Sequence, residues 1–130
     1  MNQQPTSCKA IIKYKDKFLV YLRDDKDTIP FPGYWDFFGG GIEENETLQD
    51  CIDREIMEEL TIEPKLTFLE VIPEDTNPIR YVAVFKCKLS DDEYKNVKFT
   101  GEGQKYDLVS SAELGKLKLP NHFKQYLDEG

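Results

Sequence analysis

Short segments rich in apolar, β-branched and aromatic side chains alternate with polar turns along the chain, a pattern typical of β-strands. Seven such segments predict strands, at residues 10–14, 18–22, 35–38, 66–72, 79–89, 97–99 and 106–109. The polar turn Lys15-Asp16-Lys17 joins the first two into a predicted hairpin. The stretch Val82-Ala83-Val84-Phe85 is apolar at every position, which indicates a strand in the interior of a sheet.

Two further segments show helical spacing. Over residues 47–60, apolar side chains recur at every fourth position, at Leu48, Ile52, Ile56 and Leu60. This stripe predicts a helix that packs one side against the core. A second helix is predicted after Pro120, where the residues at helical spacing are Phe123, Tyr126 and Leu127. A mixed sheet with helices packed on it is an α+β architecture.

Length and composition limit the classes of protein to consider. A chain of 130 residues predicts one domain, residues 1–130, with a core over about residues 8–128. It contains no apolar run long enough to cross a membrane, and residues 1–9 lack the layout of a secretory signal. Its three cysteines are widely spaced, which argues against a disulfide framework. We therefore expect a cytoplasmic protein.

The distribution of charge is uneven. The formal net charge of -8 disfavours binding to nucleic acid duplexes through a basic face. Residues 43–59 contain eight carboxylates and a single basic residue, Arg54, whereas the remainder of the chain is nearly neutral. Such a concentration indicates either a solvated helix face or a cation site.

Three glutamates of the predicted helix bear on the choice between a solvated face and a cation site. On a helical wheel Glu59 falls inside the apolar arc, between Leu48 and Ile52, and Glu55 and Glu58 flank it. Mutual repulsion and desolvation both oppose ionisation of carboxylates on a half-buried edge. Either these groups take up protons or a cation neutralises them, and Mg²⁺ suits oxygen ligands near phosphate. An acidic helix face in solvent remains the alternative.

The glycines at residues 39–41 precede this helix and favour a ligand site. Glycine allows close approach of the backbone to a ligand, so a carbonyl can face a cation or an amide can face a phosphate. The segment does not fit a phosphate-binding loop, because no Gly-Lys-Ser/Thr follows. It does not fit the dinucleotide fingerprint either, because Glu44 stands where the third glycine belongs.

One longer pattern combines these features. It consists of Gly40, five residues, Glu46, seven residues and then the segment Arg54-Glu55-Ile56-Met57-Glu58-Glu59-Leu60-Thr61-Ile62. This pattern resembles the Nudix box of the Nudix hydrolases, including their MutT-like members. Every defined position matches except Thr61, which replaces the closing glycine. Thr61 falls at the predicted helix C-terminus, where glycine would accept a left-handed conformation.

The resemblance implies a fold, an activity and a set of site residues. The fold is an α/β/α sandwich around a mixed sheet, and the activity is metal-dependent hydrolysis of a nucleoside diphosphate linked to another moiety, with Mg²⁺ or Mn²⁺. The residues that match the metal-binding positions are Gly40, through its carbonyl, and Glu55, Glu58 and Glu59. Arg54 matches the arginine that orients the carboxylates, and Glu46 matches its structural partner. Glu55 is the first candidate for general base.

Some relatives instead use a glutamate from a distant loop. Here Glu102, in Gly101-Glu102-Gly103-Gln104, resembles the downstream Glu-Gly-Gln of MutT-type members, which supplies an extra metal ligand. The alternative is a solvated loop glutamate. The predicted catalytic residues are thus Arg54, Glu55, Glu58 and Glu102, and the predicted metal ligands are Gly40, Glu55, Glu58, Glu59 and Glu102.

The substrate-binding candidates are Trp35, Phe37 and Asn121. Trp35 offers an aromatic face for a base, although an aromatic residue at a strand start is more often core or rim. MutT-type members place an asparagine near Asn121 to read a purine, whereas a helix N-cap is the structural alternative. The chain's one histidine, His122, is interpreted as a surface residue.

The resemblance leaves the substrate open within one class. A small domain without insertions favours a nucleoside triphosphate or modified nucleotide. An ADP-sugar or ADP-ribose pyrophosphatase is the alternative, because the long loop at residues 23–34 is long enough to form a substrate wall. Two classes without catalysis are also open, a nucleotide-binding module without turnover and a purely structural acidic domain. Relatives are often dimers, and the sequence marks no interface that would decide between monomer and homodimer.

Overall fold

A computed structural model describes residues 3–101 and 103–127. Within these residues the strands are β1 (Ser7–Tyr14), β2 (Lys17–Leu22), β3 (Trp35–Asp36), β4 (Phe38–Gly41), β5 (Thr67–Pro73), β6 (Tyr81–Lys88) and β7 (Lys105–Ser110). The helices are α1 (Leu48–Leu60), α2 (Asp91–Lys95), α3 (Ser111–Leu114) and a 3₁₀ helix (Asn121–Tyr126).

The strands form one mixed sheet whose main path is β3-β2-β1-β6-β5. β4 also pairs with β1, and β7 with β2. The β1–β6 pair is parallel and the other pairs are antiparallel. β6 lies between β1 and β5, as its unbroken apolar run predicted. The predicted hairpin is also confirmed, with Lys15 and Asp16 in the left-handed conformation that a tight two-residue turn requires.

A core cluster lies on each face of the sheet, and alternation along β1 separates the two. Ala10 and Ile12 belong to the first cluster, together with the buried stripe of α1. Ile11 belongs to the second cluster, together with side chains of α3 and the 3₁₀ helix. This arrangement of helices on both faces confirms the predicted α+β sandwich.

The strand predicted at residues 35–38 divides into β3 and β4, and the three glycines are part of β4. Gly39 and Gly40 pair with Lys9 and Cys8 of β1. Gly39 has φ of +151°, and a Cβ there would collide with the carbonyl oxygen of Cys8. Glycine is thus needed at this position for the close approach of two backbones, and β4 continues toward α1.

The strand predicted at residues 97–99 is wrong. The short helix α2 precedes this segment, and Ser90 and Glu93 form a capping box at its N-terminus. The amide of Lys98 then donates to the carbonyl of Leu60 at 3.0 Å, and the amide of Thr100 donates to that of Glu59 at 2.8 Å. These bonds satisfy carbonyls at the C-terminal end of α1 and bring residues 98–101 beside it.

In the part of the chain that the structure describes, no helix combines the length and the apolar character that crossing a membrane requires.

Candidate active site

Helix α1 positions the three glutamates of the predicted site. Thr47 caps it, because the Thr47 hydroxyl accepts from the amide of Asp50 at 3.0 Å. Burial of the apolar stripe on the sheet turns the acidic edge toward β4. The resulting cleft of about 460 Å³ is lined by Tyr21, Gly39, Gly40, Glu55, Glu58, Glu59, Thr100 and Gly101.

Glu59 is the most deeply placed of the three glutamates. Its Oε1 accepts a hydrogen bond from the amide of Gly39 at 3.0 Å. Burial raises the pKa of Glu59 to about 8, the negative charge of Glu55 adds to that shift, and the positive charge of Lys9 opposes it. Glu59 therefore holds a proton through much of the neutral range unless additional positive charge is present.

The carboxylate of Glu55 rests against Gly40. A Cβ at position 40 would collide with both of its oxygens, so glycine leaves the space that the carboxylate fills. The Glu55 side chain is 13% exposed, and burial raises its pKa, with the charge of Arg54 acting in the opposite direction. The Glu58 side chain is 58% exposed, so the prediction of a half-buried position is wrong for Glu58.

Arg54 links the acidic cluster to the loop before the helix. Its Nε and Nη2 donate to the two oxygens of Glu46 at 2.7 and 2.9 Å, and Nη2 also donates to the carbonyl of Gly41. The Arg54 hydrogen bonds lower the pKa of Glu46 to about 2, with the Glu43 amide contributing. The remaining nitrogen, Nη1, lies 3.5 Å from Glu55 Oε1 and 3.4 Å from Glu58 Oε1.

The carbonyl oxygen of Gly40 has two sulfur neighbours. The Sγ atoms of Cys8 and Cys51 lie 3.7 and 3.8 Å from it. Contact with Cys8 and burial both raise the pKa of the Cys51 thiol, which keeps this thiol neutral. Gly40 thus lines the cleft, while two thiols contact its peptide group from the core side.

A buried charge network beneath the cleft was not predicted from the sequence. The Lys9 ammonium donates to Asp36 Oδ2 and to the carbonyl of Phe37, both at 3.1 Å, and Arg23 contacts the same Asp36 oxygen. Burial disfavours the charged form of Lys9, but Asp36, Tyr21 and Glu59 outweigh that effect and raise its pKa above the usual value. The available signal was a charged residue next to apolar ones in each of two segments, Lys9 before the run that begins at Ala10 and Asp36 within the aromatic run at residues 35–38.

The predicted substrate-binding residues do not line the cleft with the glutamates. Phe37 is fully buried and its ring packs at 5.5 Å from that of Phe123, so the prediction that it contacts a substrate is corrected to a core role. Trp35 is half-buried against the second core cluster, with the Lys105 ammonium 5.7 Å from its ring. The two side chains belong to the face of the sheet opposite α1.

The C-terminal candidates also differ from expectation. Asn121 is exposed and is the first residue of the 3₁₀ helix; Pro120 occupies the N-cap, and no side chain caps the helix. The N-cap interpretation of Asn121 is therefore wrong. The surface interpretation of His122 is also wrong, because its side chain is 6% exposed and its Nδ1 accepts from the amide of Asp75 at 2.9 Å.

Glu102 lies outside the described residues, so its predicted role stays a prediction. Its neighbour Gly101 lines the cleft, and a Cβ on that glycine would lie 3.0 Å from Cγ of Glu59. The segment that leads to Glu102 therefore runs along the acidic edge of α1.

The donor set of the cleft fits a hard divalent cation. Within residues 3–101 and 103–127, no three acidic, cysteine or histidine side chains converge as a complete metal-binding group. Arg54 contacts both Glu55 and Glu58, and the Gly39 amide holds Glu59. The cleft nevertheless presents three carboxylates, and two of them have pKa values raised by burial. Carboxylates in this condition gain from a bound cation, and oxygen donors suit Mg²⁺ or Mn²⁺.

Solved structures of other proteins have folds similar to that of this chain. The chain has a TM-score of 0.77 to a MutT protein from Methanosarcina mazei Go1, with 24% identity over 98% of this chain and 94% of that one. The NUDIX domain of Shewanella oneidensis NrtR, solved with ADP ribose, gives a TM-score of 0.78 at 18% identity over 98% and 86% of the two chains. These likenesses establish a shared fold.

Sequence similarity extends to curated relatives. Over 60 residues the chain is 38% identical to nucleoside triphosphatase NudI of Escherichia fergusonii, a match that covers 46% of this chain and 41% of that protein. The chain thus spans less than half the length of this relative. The model of the NUDIX domain family matches residues 6–129, nearly the whole chain, and includes the cleft described above. The chain therefore belongs to the Nudix family.

Proposed function

We propose that this protein is a metal-dependent pyrophosphohydrolase that cleaves the P–O–P bond of a nucleoside diphosphate linked to another moiety. The observation that carries the proposal is the cleft in which Glu55, Glu58 and Glu59 line one wall. Arg54 and Glu46 brace that wall from behind, and Gly39 and Gly40 face it. Cleavage of a phosphoanhydride requires neutralised phosphate charge and an oriented water molecule.

Mg²⁺ is the proposed cofactor, with Mn²⁺ as a substitute. Glu55, Glu58 and Glu59 would hold it, together with the predicted ligands Gly40 and Glu102. A bound divalent ion neutralises phosphate charge and lowers the pKa of a coordinated water. The family generally uses divalent metals, and the three carboxylates of this cleft supply the oxygen donors that these ions prefer.

The chain's own residues divide the remaining tasks. Two hydrogen bonds from the Arg54 guanidinium to the Glu46 carboxylate fix the position of the guanidinium. Its Nη1 atom then holds Glu55 and Glu58 at one side of the cleft. The Gly39 amide fixes Glu59 by a hydrogen bond, and the absence of a side chain on Gly40 leaves the space that the Glu55 carboxylate occupies. Glu55 is the candidate to accept the proton of the attacking water, because it is the half-buried carboxylate that lies at the cleft wall beside Arg54.

A nucleoside triphosphate or modified nucleotide is the proposed substrate. The similarity to proteins described as nucleoside triphosphatase NudI supports this choice. An ADP-sugar or ADP-ribose is the second candidate, because a Nudix domain of this fold was solved with ADP ribose. A hydrogen bond from the Arg23 amide to the Tyr34 carbonyl joins the two ends of the loop at residues 23–34. This loop is the proposed element that selects among substrates.

The test measures release of phosphate or pyrophosphate, with Mg²⁺, from nucleoside triphosphates, oxidised purine nucleotides, nucleotide sugars and ADP-ribose. We expect turnover with one of these groups. Glu59→Gln should reduce turnover by about two orders of magnitude or more, because it removes a charged donor from the cation site. Asp53→Asn is the matched control, since it removes one charge from the exposed side of the same helix and should leave the rate within about twofold.

If folded wild-type protein released no phosphate or pyrophosphate from any of these compounds, the result would contradict hydrolysis and favour a nucleotide-binding module without turnover. Equal activity of Glu59→Gln and Asp53→Asn would contradict the assignment of the cation site while leaving the reaction in place. Glu102→Gln should give a smaller loss than Glu59→Gln, and an unchanged rate would make Glu102 a solvated loop residue.

We further propose that the protein acts in the cytoplasm. The described cysteines are all free, as expected in a reducing compartment.

A homodimer stays a prediction, for which sedimentation of the purified protein is the direct measurement.

A further inference from the structure

Four lysines line a concavity on the face of the sheet opposite α1. The concavity measures about 330 Å³ and is lined by Ile11, Lys13, Lys65, Thr67, Lys86, Cys87 and Lys88. Ile11 belongs to the second core cluster, and the Lys13 ammonium lies 5.0 Å from the ring centre of Phe18, a member of the same cluster. We call the four side chains Lys13, Lys65, Lys86 and Lys88 the lysine surface.

The register of the strands brings these lysines together. Lys13 of β1 lies opposite Lys88 of β6, and Lys86 lies between Ile11 and Thr67. Neighbouring strands are about 4.8 Å apart, and residues two positions apart on one strand are separated by about 6.6 Å. The register therefore places several basic side chains close together at one end of these three strands.

Three of the four lysines have no ion-pair partner among the described residues. In the described parts of the chain, Lys65, Lys86 and Lys88 form no ion pair, and no carboxylate lines the concavity. The chain as a whole carries a net charge of -8, so four basic residues around one concavity, with no acidic residue among its described lining, contrast with the rest of the protein. A concavity of this size is at the lower end of the range that accommodates small-molecule ligands.

We propose that the lysine surface is a second binding site, separate from the acidic cleft, for a compact anion that carries two or more phosphate groups. Lysine ammonium groups act as point charges toward phosphate oxygens, and their spacing along and across the strands suits a short chain of phosphates. The occupant is a free phosphorylated small molecule, because the concavity is confined to the ends of three strands. The site needs no divalent cation, in contrast to the cleft.

The test titrates inorganic tripolyphosphate into the metal-free protein at low ionic strength with EDTA present, followed by calorimetry and by amide chemical shifts. We expect one site per chain whose affinity falls as salt is raised, because the attraction is between exposed charges. Lys86→Gln with Lys88→Gln should weaken binding by roughly tenfold or more. The matched control is Lys116→Gln with Lys124→Gln, two exposed lysines outside the concavity, and it should bind like wild type.

Amide shifts at Ile11, Lys86 and Lys88 would support the site. Shifts centred on Gly39 and Glu59 would place the anion in the acidic cleft and overturn the proposal, as would no binding or equal weakening by the control pair. A change of oligomeric state in the Lys86/Lys88 variant without any anion would also overturn it, because the surface would then be an interface between chains. Since EDTA excludes the cation, these results are independent of whether the protein hydrolyses nucleotides.

Discussion

The side chain of His122 is buried, and its surroundings in the folded state favour the neutral form of the imidazole. Its Nδ1 accepts from the amide of Asp75 at 2.9 Å, and a nitrogen that accepts this bond carries no proton. Its side chain also packs between the rings of Phe31 and Phe123. Burial lowers the pKa of His122 below its ordinary 6.5, although Glu74 acts in the opposite direction. Protonation of this one residue therefore opposes the folded state.

This environment predicts a definite pH dependence of stability. The unfolded state binds a proton at higher pH than the folded state, so the stabilisation is fully present above pH 6.5 and is lost as pH falls toward the lowered pKa. The free energy of unfolding of wild type, relative to that of His122→Gln, should therefore decrease from pH 7 to pH 5 by denaturant titration. A proton NMR titration of this single histidine should give a midpoint below 6.5, and a midpoint above it would contradict the explanation.

The Lys9–Asp36 pair shows which residue contacts a single sequence does not predict. The two residues are 27 positions apart, and they meet because β4 pairs with β1 and so brings the segment around residues 36–39 beside it. Neither strand length nor apolar pattern specifies that partner. Phe37 illustrates the same limit, since it was predicted to contact a substrate, whereas it lies buried in the second core cluster.

At the scale of elements, α1 was predictable because its signals are local. An apolar residue at every fourth position, a threonine N-cap and the fixed spacing of the Nudix box all lie within residues 40–62. The segment at residues 97–99 lacked this support. Its composition favours a strand, but Lys98 and the neighbouring Thr100 donate to carbonyls at the end of α1, so a distant helix terminus determined its conformation.

The end of α1 also gives a stability prediction. Thr61 is its C-cap residue and adopts the left-handed conformation, with φ of 60° and ψ of 29°. This conformation costs a residue other than glycine about 1–2 kcal/mol, part of which the greater freedom of unfolded glycine offsets. Thr61→Gly should therefore raise the free energy of unfolding by about 0.5–1 kcal/mol in denaturant titration. Turnover should not change, because Thr61 does not line the acidic cleft.

Thr61→Ala separates the backbone effect from that of the hydroxyl. The Thr61 hydroxyl donates to the Leu60 carbonyl at 2.6 Å and contacts the Asn96 carbonyl at 3.3 Å. Alanine loses these bonds and keeps the unfavourable backbone conformation, so it should be less stable than wild type. If Thr61→Gly were also less stable than wild type, the hydroxyl bonds would outweigh the backbone cost, and threonine would be the better cap in this protein.

At the scale of the whole molecule, the acidic segment at residues 43–59 carries nearly all of the net charge. Folding places three of its carboxylates along one cleft and buries two of them in part, which raises their pKa values. The sequence predicted that ionisation of these carboxylates would be opposed, and it left proton uptake or a bound cation as the two ways to neutralise them. It did not predict that Glu58 is exposed, because the wheel gives direction around the helix but not the depth of the cleft.

A cation bound by the folded state alone must stabilise it. At a concentration of Mg²⁺ one hundred times its dissociation constant, the gain is about 2.7 kcal/mol, which for a chain of this length is a rise in Tm of roughly 10 °C. Calorimetry with Mg²⁺ and with EDTA should show this rise for wild type and for Asp53→Asn. Glu59→Gln should lose most of it, while its Tm in EDTA stays near or above that of wild type, since it removes a buried group that resists ionisation.

This measurement distinguishes a cation site from a solvated acidic face without any knowledge of the substrate. Ions that merely screen surface charge act on both aspartate and glutamate positions and depend on ionic strength. Equal responses of Glu59→Gln and Asp53→Asn to Mg²⁺, reproduced by NaCl at matched ionic strength, would show that the carboxylates are neutralised by screening and protonation alone. A response that is confined to divalent ions and lost in Glu59→Gln would place the cation in the cleft, because burial and mutual repulsion of the carboxylates there make cation binding stabilise the fold.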